Sequence, residues 1–194
     1  MKEVKRFITS SPFNVNTYVF EMDGELCVID PGEDISRFIK DPVVVLVTHG
    51  HCDHISGIPE LKVKKLYISA EDVPMLTDPV ANLSRDLMDH PVKIELPWED
   101  IDKHFRTLKA PGHTLGSRFI VFDGVVFTGD TVFVDTIGRT DLGGSKEKMK
   151  ETLIKVKEFF EKIPKEWIVF PGHGEPATVK DVLRRNIFLR GNLL

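Results

Sequence analysis

Three imidazoles and a carboxylate fall within six residues of this chain, in Thr48-His49-Gly50-His51-Cys52-Asp53-His54, directly after the apolar run Val43 to Val47. Imidazole nitrogen and carboxylate oxygen suit zinc, iron and manganese, and no paired thiolate motif accompanies them to close a structural zinc site. In an extended segment alternate residues point the same way, so His49, His51 and Asp53 would share a side while His54 faces elsewhere. One metal cannot easily take all four.

A single histidine beside a strand is more often a core or surface residue than a ligand. Here five of the seven histidines lie in three compact contexts, each following a strand-like run. The second context is Pro111-Gly112-His113-Thr114, after Phe105 to Ala110, and the third is Pro171-Gly172-His173-Gly174, after Trp167 to Phe170. A fourth run, Val125 to Phe127, ends in Thr128-Gly129-Asp130-Thr131. Donor clusters at strand ends mark metal or catalytic sites. His90 and His104 lack that context and read as structural or solvated. Cys52, inside the motif, reads as a small apolar filler, with oxidation sensitivity as the alternative, and Cys27 reads as core.

On these residues the sequence resembles the metallo-β-lactamase superfamily. His49-Gly50-His51-Cys52-Asp53-His54 matches its His-x-His-x-Asp-His motif, and His113, Asp130 and His173 match its later ligand positions in order. Asp30, in Val28-Ile29-Asp30-Pro31-Gly32, matches an early aspartate that the family uses near the first metal. The resemblance implies two divalent metal ions, zinc first, with iron or manganese as alternatives. His49, His51 and His113 would hold the first, Asp53, His54 and His173 the second, and Asp130 would bridge them. Two close dications need a shared anion to relieve their repulsion, and a carboxylate with a bridging hydroxide supplies it. Asp53 would then orient the nucleophile and take its proton. Asp30 is expected to accept a hydrogen bond from the second ring nitrogen of a ligating histidine; the plainer reading is a turn residue before Pro31-Gly32.

Substrate contacts have weaker signals. Ile137 to Ser145 follows Asp130, and exposed N–H groups around Gly143, Gly144 and Ser145, with Arg139 and Lys146 nearby, could hold a substrate carboxylate. The alternative is a glycine-rich helix cap with Arg139 paired to Asp141. The segment Pro74 to Trp98 is either a wall over the metals or surface packing. Within the superfamily, Gly138-Arg139-Thr140-Asp141-Leu142 is most similar to small glyoxalase II-like (hydroxyacylglutathione hydrolase-like) enzymes, which cleave thioesters such as S-lactoylglutathione, and to the related persulfide dioxygenases. Two departures from glyoxalase II stand out: the stretch 174 to 194 after His173 is too short for its helical domain, and Gly174-Glu175 replaces its Glu-Tyr. The resemblance therefore implies a metal-dependent hydrolase of a small acyl thioester. The alternatives are a dioxygenase with one iron on His49, His113 and Asp130, or a hydrolase of another small ester, lactone or phosphodiester. A metal-binding scaffold without turnover has no chemical need for seven such ligands.

These loops require a rigid frame. At 194 residues and 41% hydrophobic, the chain can bury one substantial core, so a single domain over 1–194 is expected. A formal charge of −4 argues against a broad nucleic-acid surface, no apolar run approaches membrane-spanning length, and no secretion signal opens the chain. A cytoplasmic enzyme with a small-molecule partner is the expectation; the oligomeric state is open. Strands are expected at Val4 to Ile8, Asn16 to Glu21 and Glu25 to Asp30, with an Asp23-Gly24 hairpin turn. More strands are expected at Val43 to Val47, Leu66 to Ile68, Val92 to Leu96, Phe105 to Ala110, Arg118 to Phe122, Val125 to Thr128 and Trp167 to Phe170. Short helices are expected over Asp34 to Lys40, Ile58 to Lys64 and Thr178 to Leu189. The longest helix spans Ser145 to Ile163, where Met149, Leu153, Val156, Phe160 and Ile163 recur at steps of four and three. Strands then helices, twice over, fit an α/β (α+β) fold: a four-layer αβ/βα sandwich of two mixed sheets flanked by helices.

Overall fold

A computed structural model describes residues 3–10 and 13–191. The chain divides into two compact units, Met1–His104 and Phe105–Leu194. Each has its own sheet and its own apolar core.

The first unit contains a six-stranded sheet in sequential order: β1 (Lys5–Thr9), β2 (Val15–Met22), β3 (Glu25–Ile29), β4 (Val43–Leu46), β5 (Val63–Ile68) and β6 (Glu99–Asp100). The β1–β2 and β2–β3 pairs are antiparallel, and from β3 to β6 the pairing is parallel. Asp23 and Gly24 both have positive φ (52° and 81°), the backbone that a tight two-residue hairpin demands. Every residue of β4 is buried, so its sequence reads as continuous valine and leucine rather than as an alternation. One core forms where Val28 and Val45 of the sheet pack with Ile55 of α1 (Cys52–Ile55) and Leu76 of α2 (Pro74–Thr77).

The second unit carries β7 (Thr107–Lys109), β8 (Arg118–Phe122), β9 (Val125–Gly129), β10 (Ile168–Pro171) and β11 (Ala177–Thr178), in the order β11-β10-β9-β8-β7. Only the β9–β10 pair is parallel, and α4 (Lys146–Lys162) makes that crossover. Ser145 caps α4 by accepting the Lys148 N–H at 3.2 Å. Met149, Leu153, Val156 and Phe160 line the helix face buried against Phe119, Val121, Val126 and Val169, each contributing about 1.5–3 kcal/mol by burial. α5 (Val179–Arg185) adds Val179 and Val182 to this core.

Four expected elements differ. Asp34 to Lys40 forms only the 3-10 turn Ile35–Arg37, and the helix at Ile58 to Lys64 shortens to Ile58–Glu60 because β5 begins at Val63. Val92 to Leu96 is not a strand: its N–H groups at Val92 and Ile94 donate to Ser84 Oγ and to the Leu76 carbonyl instead of to a ladder. The short helix α3 (Ser84–Leu87) lies just before this stretch. The last helix stops at Arg185, where Asn186 turns extended so that its amide reaches the carbonyls of Phe133 and Thr136. Among the described residues no helix is long and apolar enough to cross a membrane.

Candidate metal centre

In the first unit the motif leaves β4 and turns at once into α1, with His51 as its extended N-cap (φ −65°, ψ 148°). The helical turn corrects the extended reading, because His54 comes back beside His49. Their ring centroids are 4.1 Å apart, and those of His49 and His51 are 4.9 Å apart. Ligand atoms of Asp30, His49 and His54, all buried, lie within 4.8 Å of one another.

Asp30 sits at the end of β3 with φ 51°, an energetically unfavourable backbone that Asp tolerates better than most residues. Its Oδ1 accepts the Thr48 N–H at 2.7 Å, and its Oδ2 accepts the Thr48 hydroxyl at 2.6 Å and His54 Nδ1–H at 3.1 Å. Because the single Thr48 proton goes to Asp30, the 3.2 Å contact between Thr48 Oγ1 and His49 Nδ1 makes the imidazole the donor. One carboxylate thus sets the tautomer of His54 directly and of His49 through Thr48. Both rings keep their lone pair on Nε2, the state a metal ligand needs. His54 Nε2 lies 3.5 Å from Asp53 Oδ2.

In the second unit, β9 delivers Asp130, β10 leads to His173, and the loop after β7 carries His113. Asp130 Oδ2 lies 3.6 Å from His113 Nε2 and 3.3 Å from His173 Nε2. These separations, like the 3.5 Å one at His54, exceed the usual hydrogen-bond length. They match the edge of about 3.4 Å between two ligand atoms that each lie roughly 2.0–2.2 Å from one tetrahedral cation. The donor chemistry and the spacing therefore suit these residues to ligating divalent metal. His113 Nδ1 donates to the Arg139 carbonyl at 2.7 Å, which again leaves Nε2 with the lone pair.

The loop expected to hold substrate supports His113. A Cβ on Gly138 would lie 1.7 Å from the Asp130 carbonyl oxygen and 3.1 Å from His113 Nδ1, so only glycine allows this approach. One on Gly144 would meet the Gly112 carbonyl at 2.2 Å, and the Ser145 N–H donates to that same carbonyl at 2.8 Å rather than pointing outward. Gly143 takes φ 82°, which favours glycine. The Arg139 guanidinium makes a bidentate pair with Asp141 (2.9 and 2.7 Å), which holds the Asp141 carboxyl down at about 2. Lys146 is exposed at the start of α4.

Several supporting residues escape a reading of the sequence. Thr17 Oγ1 donates to the Asp30 carbonyl at 2.8 Å and accepts the Gly32 N–H at 3.0 Å, while Ser10 Oγ donates to the Asp53 carbonyl at 2.9 Å. Nothing in their local sequence marks hydroxyls at such distances along the chain. Cys52 is buried, with its thiol pushed up to about 12 by burial and then by the Asp53 charge; Cys27 is buried likewise, its thiol pushed up to about 11 by burial first. His104 pairs with Glu99 at 2.8 Å on the surface of the first unit, and His90 lies 3.8 Å from Glu33. In the segment Pro74 to Trp98, Leu76, Val92 and Ile94 belong to the first core, whereas Leu87 and Trp98 are exposed.

The family model of the metallo-beta-lactamase superfamily matches residues 10–173. The chain belongs to this superfamily. The probable metallo-hydrolase YqgX of Bacillus subtilis is 31% identical over 93% of this chain and 94% of its own length. A hydroxyacylglutathione hydrolase of Vibrio cholerae is 32% identical over 88% of this chain and 67% of its own. Among solved structures, the BLEG-1 B3 metallo-beta-lactamase has a TM-score of 0.84 at 27% identity, covering 97% of this chain and all of its own (100%). TTHA1623 in a di-iron-bound form has a TM-score of 0.79 at 27% identity, covering 94% of this chain and 98% of its own. These likenesses bear out the expected fold, two mixed sheets with flanking helices, and make the chain a metallo-hydrolase of the superfamily.

Proposed function

We propose that this metallo-hydrolase cleaves a small acyl thioester, in the manner of a glyoxalase II, with two divalent metal ions bound by the motif residues. Each unit's placing of a carboxylate oxygen one ligand edge from imidazole Nε2 atoms carries the metal reading. On the family's pattern His49, His51 and His113 would hold the first ion, Asp53, His54 and His173 the second, and Asp130 would be shared. When bound, such ions polarise the acyl carbonyl and make water acidic enough to ionise near neutral pH. Asp30 and Thr48 keep His49 and His54 in the ligating tautomer, and the Arg139 carbonyl does so for His113. Asp53, partly exposed, accepts the proton of the attacking water on a carboxylate oxygen.

The leaving group supports the thioester. A thiol has a pKa of about 8.5 and departs as thiolate without a strong acid, whereas an amine must be protonated. The donor set engages the motif's imidazoles and carboxylates as ligands and keepers of ligands, which suits a substrate that needs no further acid. The likeness to the Vibrio hydroxyacylglutathione hydrolase supports the same class. Zinc, iron and manganese all suit the donors. The exposed Arg139 and Lys146 side chains are our candidates for meeting an anionic substrate group, Arg139 by exchanging its Asp141 partner for it.

A substrate panel tests the proposal. S-lactoylglutathione and simpler thioesters should release thiol far faster than a β-lactam or an amide is opened. Faster β-lactam cleavage would transfer the assignment to lactamase chemistry. Oxygen uptake with glutathione persulfide and iron, without thiol release, would transfer it to a dioxygenase.

A further inference from the structure

Asp72 is a carboxylate only 1% exposed that lies outside the metal motif. It ends the 3-10 turn Ala70–Asp72 after β5, where its N–H donates to the Ser69 carbonyl at 3.1 Å. Its Oδ2 accepts the Gly50 N–H at 3.0 Å. Gly50 stands between His49 and His51, so this bond restrains the stretch of backbone that links the two ring-bearing residues. A bond to a carboxylate is roughly twice as strong as one between neutral groups, and a buried one is shielded from water.

The same segment grips the motif at two further points. A Cβ on Gly50 would lie 2.6 Å from Met75 Cβ, so the motif backbone is pressed against Met75. Two residues on, the Cys52 N–H donates to the Asn82 carbonyl at 2.9 Å. Asn82 is fully buried, its amide donating to the carbonyls of Met75 (2.8 Å) and Val92 (3.0 Å), while its Oδ1 accepts the Ser84 N–H at 2.9 Å. The next residue, Leu83, has φ 71°, a backbone that a leucine adopts only where its surroundings over-determine it. The segment is therefore built to hold a fixed position against the motif.

We infer that Asp72 is a positioning residue for the metal ligands: through the Gly50 N–H its carboxylate holds His49 and His51 in the arrangement that binds metal. The inference rests on the reading of those two histidines as ligands. Its action is as a hydrogen-bond acceptor, so an Asn carbonyl oxygen in the same place should serve in part.

Full-length wild type, Asp72→Asn, Asp72→Ala, Asp72→Leu and His51→Ala separate the possibilities. Zinc affinity is measured by competition with a chromophoric chelator, and Gly50 amide exchange by NMR on the metal-free proteins. Asp72→Ala should weaken zinc binding by about 10–100-fold and expose the Gly50 amide to exchange. Asp72→Asn, a neutral and weaker acceptor, should lie between Asp72→Ala and wild type in both. Asp72→Leu, similar in volume but without an acceptor, should behave as Asp72→Ala does and replaces it if the alanine variant fails to fold. Wild-type affinity in the acceptor-free variants would overturn the inference, as would an asparagine variant as weak as they are. His51→Ala should lose zinc whatever Asp72 does; if it binds normally, the ligand assignment itself fails.

Discussion

His113 is held by the backbone of Arg139 and not by its guanidinium: Nδ1 donates to the Arg139 carbonyl at 2.7 Å, while the side chain pairs with Asp141. A substitution at Arg139 can therefore change surface charge without touching the imidazole's tether.

Arg139→Ala should leave metal content unchanged. It should also raise the Asp141 carboxyl from about 2 part of the way towards its ordinary value of about 3.9, because a backbone hydrogen bond at Asp141 still holds it down. Because the folded-state value is the lowered one, the pair's stabilisation is present above pH ~4 and is lost as the pH falls towards 2. Both side chains are two-thirds exposed (67%), so the effect on stability is small. An NMR titration of Asp141 checks the shift, and an unchanged midpoint in the variant contradicts it. If the guanidinium also meets an anionic substrate group, KM should rise by roughly tenfold for an acidic thioester but not for a neutral one.

Gly138→Ala should act in the opposite way. Its methyl would sit 1.7 Å from the Asp130 carbonyl oxygen, so the backbone beneath Asp130 and His113 must move. A loss of roughly 1–3 kcal/mol is expected from overpacking, with reduced metal content. Thermal unfolding and metal analysis check this, and a variant with native stability and full metal would show that the close approach is not needed.

Asp30 supports two histidines, and its variants separate hydrogen bonding from backbone geometry. Asp30→Ala removes the acceptor for Thr48 and His54 and places a less tolerant residue at φ 51°. Metal affinity should fall by about 10–100-fold, the usual cost of losing a ligand's outer partner. Asp30→Asn keeps a tolerant backbone residue and one acceptor oxygen, so it should fall less. Equal affinity in all three proteins, measured by chelator competition, would assign Asp30 to the turn alone.

Much of this was legible because it is local. The motif spacing, the strand before each donor and the repeat of Met149, Leu153, Val156 and Phe160 are written within a few residues of one another. What failed was local pattern without its distant partner. Val92 and Ile94 alternate as in a strand, yet their backbone groups bond to Ser84 and Leu76, so no ladder forms. The apolar register continues past Arg185, but Asn186 leaves the helix to bond Phe133 and Thr136, some fifty residues away. Thr17, Asp72 and Asn82 stayed unmarked for the same reason: a lone hydroxyl, carboxylate or amide has a meaning only through what it reaches.

Asp130→Ala should lower metal content as well as rate, because it removes the carboxylate proposed to be shared between two dications. A variant retaining two tightly held metals and normal turnover would refute the shared role.

Thiol release from S-lactoylglutathione, followed while zinc, manganese or iron is titrated anaerobically into metal-free protein, most directly tests thioester hydrolysis at a two-metal site. The expected result is a rate that climbs to a plateau at about two equivalents of metal, the number that six donors and a shared Asp130 would accommodate. A plateau at one equivalent of iron, with oxygen consumed from a persulfide once air is admitted and no thiol released, would contradict it.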